Sequence, residues 1–484
     1  MPTATPPRPR WPRRLARFVA AVLLVLTVAA GALWAVLRIA LMPAAGEWAT
    51  EIGRGPFTLR AGVPQLVWLA TTPWIGERLH GVRIATRAGP VTLGWEPSST
   101  RSPAPALVLH CEPCTVPLPA GLGQAALTLP AAQLTLARAL TGQNDQALDG
   151  LLMLGAHALA PDSAPPLLIT HWRARRAGAG WAVQLQAAEH PLRDWLALLA
   201  PQLPELARAR IDGTLALSAD LQLPERTLQL SPRLTGVAVQ GLGTEAWANL
   251  RSSCGPRVAV DARGWLTRAV LAAEDQRFYE HPGYDMEELL ATLHTNQQRG
   301  AIARGGSTIT QQLAKLMVTG GERTLARKLR EWLYAVEMEQ TLGKARILQL
   351  YLQLAPWGQT AEGHLVCGAD AAARHHFKVP ARRLTPRQAI TLAAMLRNPL
   401  REAERWAAEG SVDRDRLVWI ADQIRGVPVR QRRALAARWR AEREVAGALP
   451  VDAAAQLAGG EHPHAMQANQ PVAAQLTQAA PRIP

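Results

Sequence analysis

The first forty residues constrain this chain more than any other stretch. Five arginines (Arg8, Arg10, Arg13, Arg14 and Arg17) precede Phe18 to Leu37, twenty residues without a charge that end at Arg38, and no acidic residue occurs before Glu47. A helix of twenty residues is about 30 Å long, the thickness of a bilayer's hydrocarbon core. The run predicts a transmembrane anchor over 18–42, behind a basic segment 1–17 that the positive-inside rule keeps in the cytoplasm. Ala29, Ala30 and Ala32 offer the alternative of a cleaved signal peptide, but the apolar run continues past them. The chain beyond about residue 43 is then expected on the periplasmic side of the inner membrane, as the bulk of a single-pass protein. That placement removes nucleic acid as a partner.

The 484 residues suit two or three domains. A net charge of +15 calls for an anionic partner, and outside the cytoplasm that means a phospholipid surface or a phosphorylated substrate. The basic residues are 49 arginines and only four lysines: Lys315, Lys328, Lys344 and Lys378. All four tyrosines (Tyr279, Tyr284, Tyr334 and Tyr351) fall in that same part of the chain, which marks it as chemically distinct. Four cysteines are too few for a disulfide scaffold. Cys111 and Cys114 form a CxxC that reads as a local disulfide or two inert thiols; whether Cys254 and Cys367 pair is left open by their spacing. His364, Cys367, His375 and His376 can be drawn as a metal cluster, although His-x-x-Cys is common by accident, and no metal ligand is assigned.

Residues 50–248 read as a β-rich extracytoplasmic domain. Leu215, Leu217, Ala219, Leu221 and Leu223 alternate with small or polar residues, Pro224-Glu225-Arg226 turns the chain, and Leu228 and Leu230 resume the alternation. Trp181, Val183 and Leu185 alternate likewise. Leu192 to Ala200 and Pro204 to Arg210 are the two helical interruptions expected. The segment resembles the β-stranded domains of AsmA-like envelope proteins and carries no catalytic constellation, so it reads as a spacer or a partner-binding module. From 255 the periodicity turns helical, with Trp265, Leu266, Ala269, Val270 and Ala273 on one buried face. Residues 255–405 form the expected chemical domain, 406–448 an Arg-rich helical extension and 449–484 a disordered tail.

Three pieces of this helical region carry chemistry. Glu274 and Asp275 end the first helix just before Phe278, Tyr279 and a Pro-Gly, where apolar neighbours would raise a carboxylate's pKa and suit it to act as a base. Gly305-Gly306-Ser307-Thr308-Ile309-Thr310-Gln311-Gln312 opens a helix through a T-x-x-Q capping box, and its first-turn amides, Gln311, Gln312 and Lys315 share a face suited to anions. On the helix from 323 to 339, Leu325, Leu329, Trp332, Leu333 and Val336 fall on the buried side. Arg323, Arg327, Arg330, Glu331 and Tyr334 fall opposite, placing three arginines around one carboxylate.

Glu-Asp-x-x-Phe-x-x-His-x-Gly, Gly-Gly-Ser-Thr-Ile-Thr-Gln-Gln-Leu-x-Lys and Arg-Lys-x-x-Glu, in this order, resemble the motifs of the family 51 peptidoglycan glycosyltransferases. Lys344 to Leu352 and Leu384 to Pro399 resemble that family's fourth and fifth motifs, and Pro356-Trp357-Gly358 is similar to its monofunctional members. The resemblance implies a multidomain chain: an anchor, the β-rich domain, and a mainly α, lysozyme-like domain that polymerises lipid II at the membrane. By position it makes Glu274 the general base on the acceptor hydroxyl and Glu331 the second catalytic acid, at the departing pyrophosphate. Asp275, Phe278, His281, Gly306, Ser307, Thr308, Gln311, Gln312, Lys315, Arg323, Arg327 and Lys328 become substrate-binding positions. It leaves open a divalent cation, magnesium or manganese, at the pyrophosphate. Its implied partners are lipid II, the nascent glycan strand, the membrane, and a separate transpeptidase or envelope protein at the β-rich domain. No Lys-Thr-Gly or Ser-x-x-Lys transpeptidase motif follows.

Leu316, Gln349 and Gln353 depart from the family's Asn, Glu and Asn, and Gln359 to Asp370 is a few residues longer than its counterpart. Two rival readings stand beside the enzyme: a lytic transglycosylase sharing the fold, and a non-catalytic envelope scaffold that tolerates the altered fourth motif.

Overall fold

The computed structural model describes residues 11–43, 47, 49–52, 58–86, 88–97, 104–117, 126–139, 147–155, 168–178, 180–223, 225, 227–250, 254, 261, 263–299, 305–320, 324–360 and 362–447. The 449–484 tail, Arg323, and Pro224 and Arg226 of the expected turn lie outside the described residues. The chain divides into two compact units.

The first unit begins with α1 (Trp11–Ala40), of which Arg17–Ala40 is long and apolar enough to cross a membrane. A hairpin of β1 (Ala49–Ile52) and β2 (Leu59–Gly62) follows, then two short helices, α2 (Val63–Ala70) and α3 (Pro73–Leu79). Pro64 and Pro73 occupy first-turn positions, where a missing N–H costs nothing. The remaining strands are β3 (Arg83–Thr86), β4 (Gly89–Glu96), β5 (Ala106–Cys111), β6 (Cys114–Pro117), β7 (Ala126–Leu129), β8 (Ala132–Arg138), β9 (Ala147–Leu154), β10 (Leu168–Ala177) and β11 (Gly180–Pro191). After α4 (Leu192–Leu199) and α5 (Glu205–Arg208) come the long strands β12 (Arg210–Leu223) and β13 (Thr227–Gln240).

Nine strands form one sheet in the order β13-β12-β11-β10-β9-β8-β5-β4-β3, with β6 and β7 paired apart from it. Each neighbouring pair from β3 to β11 is antiparallel. Along β10, Leu168, Thr170, Trp172 and Ala174 are buried while Ile169, His171, Arg173 and Arg175 are exposed, the period-two pattern of a sheet with one covered face. Trp172 donates from Nε1 to the Thr135 carbonyl at 3.1 Å, across from Gly150. A Cβ at 150 would sit 1.9 Å from that carbonyl, so only glycine lets the strands close there. Cys111 and Cys114 are joined as a disulfide.

The second unit takes in residues 117–127, 189–215 and everything from 233 onward. It therefore includes α4, α5 and the 233–248 stretch, which the sequence assigned to the β-rich domain, because Leu192, Leu196, Ile211, Val239 and Leu242 belong to the helical core. Its helices are α6 (Trp265–Glu274), α7 (Met286–Arg299), α8 (Ile309–Ala314), α9 (Leu325–Thr341), α10 (Gly343–Leu354), α11 (Ala369–Phe377), α12 (Pro386–Met395), α13 (Pro399–Glu409), α14 (Arg414–Gln423) and α15 (Val429–Gly447). A small pair, β14 (Pro356–Gln359) and β15 (Leu365–Cys367), lies between α10 and α11. Cys254 and Cys367 form a second disulfide.

The helix α9 runs through the middle of this unit. On its expected apolar side Leu333 and Val336 are buried and Leu329 and Trp332 partly so, but Glu331, Tyr334 and Glu337 on its other sides are buried as well. Glu337 accepts from the backbone N–H groups of Leu242 (2.7 Å) and Thr244 (3.2 Å), which satisfies a carboxylate that would otherwise be costly inside the protein.

Candidate active site

Glu274 closes α6. That helix exists because Leu266, Ala269, Val270 and Ala273 share one face, which is buried against α12 and α14. At its end the Glu274 side chain is 12% exposed. Gln312 Nε2 donates to one carboxylate oxygen at 3.1 Å, and Arg416 Nη2 of α14 lies 3.3 Å from the other. Tyr351 in α10 donates to Gln312 Oε1 at 2.9 Å, fixing the amide so that its NH₂ points at the acid. Burial pushes the Glu274 carboxyl above its ordinary value; the Arg416 charge and the Gln312 and Arg416 hydrogen bonds oppose that rise, and Asp275 adds to it. The arrangement gives a proton acceptor that holds a proton more readily than a solvated glutamate.

Asp275 turns the other way. One of its oxygens accepts from the N–H of Ile309, the first residue of α8, at 2.9 Å, and His281 Nε2 sits 3.0 Å from both. Gly283 N–H donates to His281 Nδ1 at 3.2 Å, so Nδ1 is the acceptor and Nε2 carries the proton given to Asp275. Thr308 caps α8 as expected: its Oγ1 accepts from Gln311 N–H, while Thr308 N–H donates to Gln311 Oε1. The Thr308 hydroxyl donates to the Gly283 carbonyl at 2.7 Å. These bonds lock the entrance of α8 to the loop after α6. Gly306 lies against α7, where a Cβ would come within 2.9 Å of Thr292 Oγ1.

The helix α8 passes at Lys315–Thr319 into a turn of i→i+5 form, with Gly320 N–H reaching the Lys315 carbonyl at 3.2 Å. Such π-turns bulge a helix and recur at functional sites. Lys315 is exposed there. On α9, Glu331 is 1% exposed and takes Arg327 on Oε1 and Lys328 on Oε2, the latter at 2.7 Å. Lys328 Nζ also donates to Ser307 Oγ. Burial and the like charges of Arg327 and Lys315 push the Lys328 ammonium down to about 8. Lys315, Arg327 and Lys328 therefore gather three cationic side chains beside the buried Glu331, a group suited to a polyanion. Both oxygens of Glu331 are already engaged by cations, and among the described residues no three His, Cys, Asp or Glu side chains gather as a metal site. This donor set does not suit a protein-held magnesium or manganese ion.

Several expected positions fall differently. Asp275, Phe278 and His281 are buried, and their contacts brace the α6–α8 junction. Arg330 leaves the Glu331 group: its Nε pairs with Glu205 of α5 at 2.8 Å, so the three-arginine cluster around Glu331 is not formed by Arg330. Cys367 is in a disulfide and His376 Nε2 faces the Trp357 carbonyl at 3.5 Å; burial pushes that imidazole down to about 4, and no cluster with His364 forms. Of the altered positions, Gln349 accepts from Arg346 at 2.6 Å and Leu316 packs on the core.

Sequence reasoning missed Arg416, Tyr351 and a hub at Lys344. Lys344 Nζ bonds Glu339 (2.9 Å) and the His281 carbonyl (2.7 Å), and lies 4.5 Å from the centre of the Phe278 ring. Thr310 donates to the same Glu339 at 2.7 Å. The scarcity of lysine and tyrosine outside this region was the signal that pointed to Lys344 and Tyr351.

Residues 260–423 match the transglycosylase family model. That segment is similar to the transglycosylase family. The domain is 48% identical over 135 residues to a biosynthetic peptidoglycan transglycosylase of Alcanivorax borkumensis, covering 28% of this chain and 53% of that protein. It is 45% identical over 134 residues to the protein of that name from Laribacter hongkongensis (28% and 57%), and 42% identical over 161 residues to that of Azoarcus sp. strain BH72 (33% and 64%). The chain thus spans between about half and two thirds of the length of these relatives. The matched segment extends beyond Arg416, so the α14 arginine at Glu274 lies within it.

Proposed function

We propose that the chain is a membrane-anchored peptidoglycan glycosyltransferase that polymerises lipid II into glycan strands and releases undecaprenyl pyrophosphate. We place it at the outer face of the inner membrane, with a lysozyme-like helical domain. The observation that carries this reading is the contrast between its two acids. Glu274 has a raised pKa and is held by one amide and one arginine, whereas Glu331 is saturated by cations. Environments that differ in this way divide acid–base work from charge work.

In this reading Glu274 takes the proton of the acceptor hydroxyl as its oxygen bonds to the donor's anomeric carbon. The bond from that carbon to the pyrophosphate breaks in the same displacement. Lys315, with Arg327 and Lys328 ordered by Glu331, meets the charge that develops on the leaving pyrophosphate, so its departure requires no separate acid. Crosslinking of the product is assigned to a separate transpeptidase. The test is conversion of labelled lipid II to polymer by the full chain in detergent or proteoliposomes, with moenomycin as donor-site inhibitor. Polymer that forms and is blocked by moenomycin supports the reading; shortening of preformed glycan with no polymer from lipid II would favour a lytic enzyme instead.

A further inference from the structure

The two helices after the anchor leave large apolar groups in the open. Outside α1 and its end, the exposed large hydrophobic side chains of the first unit, among the described residues, are Trp68, Leu69, Trp74, Val82, Ile84, Val116 and Ile169. Five of these seven lie between 68 and 84, on α2, α3 and the edge of β3, and Trp74 is 62% exposed. A scattered exposed leucine is ordinary, but a local group of two tryptophans and three aliphatics in one short segment is not. The edge strand β3 is exposed at every residue, an arrangement that invites pairing in water unless something covers it.

The location of this group says what covers it. Leu41, directly after α1, packs with Leu59 and Ala61, and Leu66 of α2 lies against them. Gly62 N–H donates to the Leu41 carbonyl at 2.8 Å. The N-cap of α2 is therefore fastened to the exit of the anchor. At about 1.5 Å per residue, Trp68 lies roughly 9 Å along the chain from that tie, so with α2 inclined along the surface it falls in the headgroup layer that adds about 5–7 Å on each side of the hydrocarbon. The Arg138 guanidinium lies 3.8 Å from the Trp68 ring centre and also donates to Thr71 and Thr72 in the turn between the helices. Arg78 lies 5.9 Å from the Trp74 ring. Arg60 and Arg83 are exposed in the same part of the chain, as are the acids Glu51, Glu77 and Glu96. Tryptophan capped by arginine suits the headgroup zone, where the ring meets acyl carbon and the cation meets phosphate.

We propose that α2, α3 and β3 form a second, interfacial membrane contact beside the anchor, seating Trp68, Leu69, Trp74, Val82 and Ile84 in the headgroup layer of an anionic phospholipid bilayer. This inference rests on the reading of α1 as a membrane anchor. It goes beyond a single-span tether: the anchor supplies attachment, and the paired helices fix how the first unit is seated on the lipid.

The test uses the full chain in proteoliposomes containing phosphatidylglycerol. Both native cysteine pairs are disulfides, so single introduced cysteines can carry an environment-sensitive fluorophore. Three reporters are compared: Leu26→Cys in α1, Trp74→Cys in α3 and Ser218→Cys on β12. Blue-shifted emission at 26 and 74 that is quenched by nitroxide-labelled lipid, deep for 26 and shallow for 74, with no change at 218, is the expected result. Quenching at 26 with none at 74 overturns the proposal and leaves the anchor. Equal quenching at 74 and 218 overturns it as non-specific adhesion. A blue shift at 74 without lipid quenching overturns it in favour of a protein partner. No quenching at 26 overturns the anchor and this contact together.

Discussion

Asp275→Asn changes one atom of the side chain and should unsettle the junction on which the site is built. The wild-type carboxylate accepts from Ile309 N–H on Oδ2 at 2.9 Å, and His281 Nε2–H lies 3.0 Å from both of its oxygens. The imidazole cannot reverse its tautomer without stranding the Gly283 N–H that donates to Nδ1. Asparagine leaves one oxygen to serve both donors and turns its NH₂ toward His281 Nε2–H. The loss is then a charge-assisted bond weakened to a neutral one, about 1 kcal/mol, plus a poorly satisfied buried donor of about 1–3 kcal/mol, or roughly 2–4 kcal/mol together. The side chain is 4% exposed, so water does not offset the loss. Because the two units can unfold separately, the measurement is the urea transition of the helical unit, read together with hydrogen exchange of the Ile309 amide. Polymerisation should fall with it, since the bond sets α8, and so Gln312, against Glu274. A transition within about 0.5 kcal/mol of wild type, with the Ile309 amide equally protected, would refute the reasoning.

Glu274→Gln should abolish polymerisation while leaving the unfolding transition in place, and near-normal turnover would sink the base assignment. Because burial raises the Glu274 carboxyl and the base works ionised, activity should fade with acid at a pH above the ordinary glutamate range; Arg416→Met, which removes an opposing charge, should move that limb higher still, as a pH–rate series checks. Lys328, pushed down to about 8, should lose its proton as pH rises through that value and weaken the cationic group, whereas Lys328→Arg should remove this basic limb; an unchanged alkaline profile in the variant would count against it. Lys315→Ala should cost roughly 10²-fold in turnover, with Lys315→Arg an incomplete rescue, and unchanged turnover in the alanine variant would end its role as a charge stabiliser.

Local sequence made some of this legible and hid the rest for physical reasons. The capping box at Thr308 and the apolar face of α6 are short-range signals, and both are present where the sequence placed them. The β12–β13 turn was readable in the same way from the strand alternation on either side of it. Residues 50–248 read as β-rich with helices only at 192–200 and 204–210, so α2 and α3 were not expected; Pro64 and Pro73 stand in their first turns, where proline does not end a helix. The polar side of α9 read as three arginines gathered around Glu331, since nothing in its own residues announces that Glu205 covers Arg330 or that Leu242 and Thr244 cap Glu337. Arg416 was invisible for a simpler reason: 142 residues separate it from Glu274, and among 49 arginines no pattern singles it out.

The bond between Cys254 and Cys367 makes the heart of the helical unit a covalent ring. Its two ends are 113 residues apart, and Glu274, Gln312, Lys315, Lys328 and Glu331 all lie on the ring, while Arg416 reaches it from outside. Closing a loop of that length restricts the unfolded chain by about 5 kcal/mol in the chain-entropy model. A protease that cuts once between 254 and 367 therefore releases nothing: the severed halves travel together on a gel until a reductant parts them. In a reducing compartment the same polypeptide is linear, so the redox state of its surroundings sets the topology of the segment that carries the chemistry.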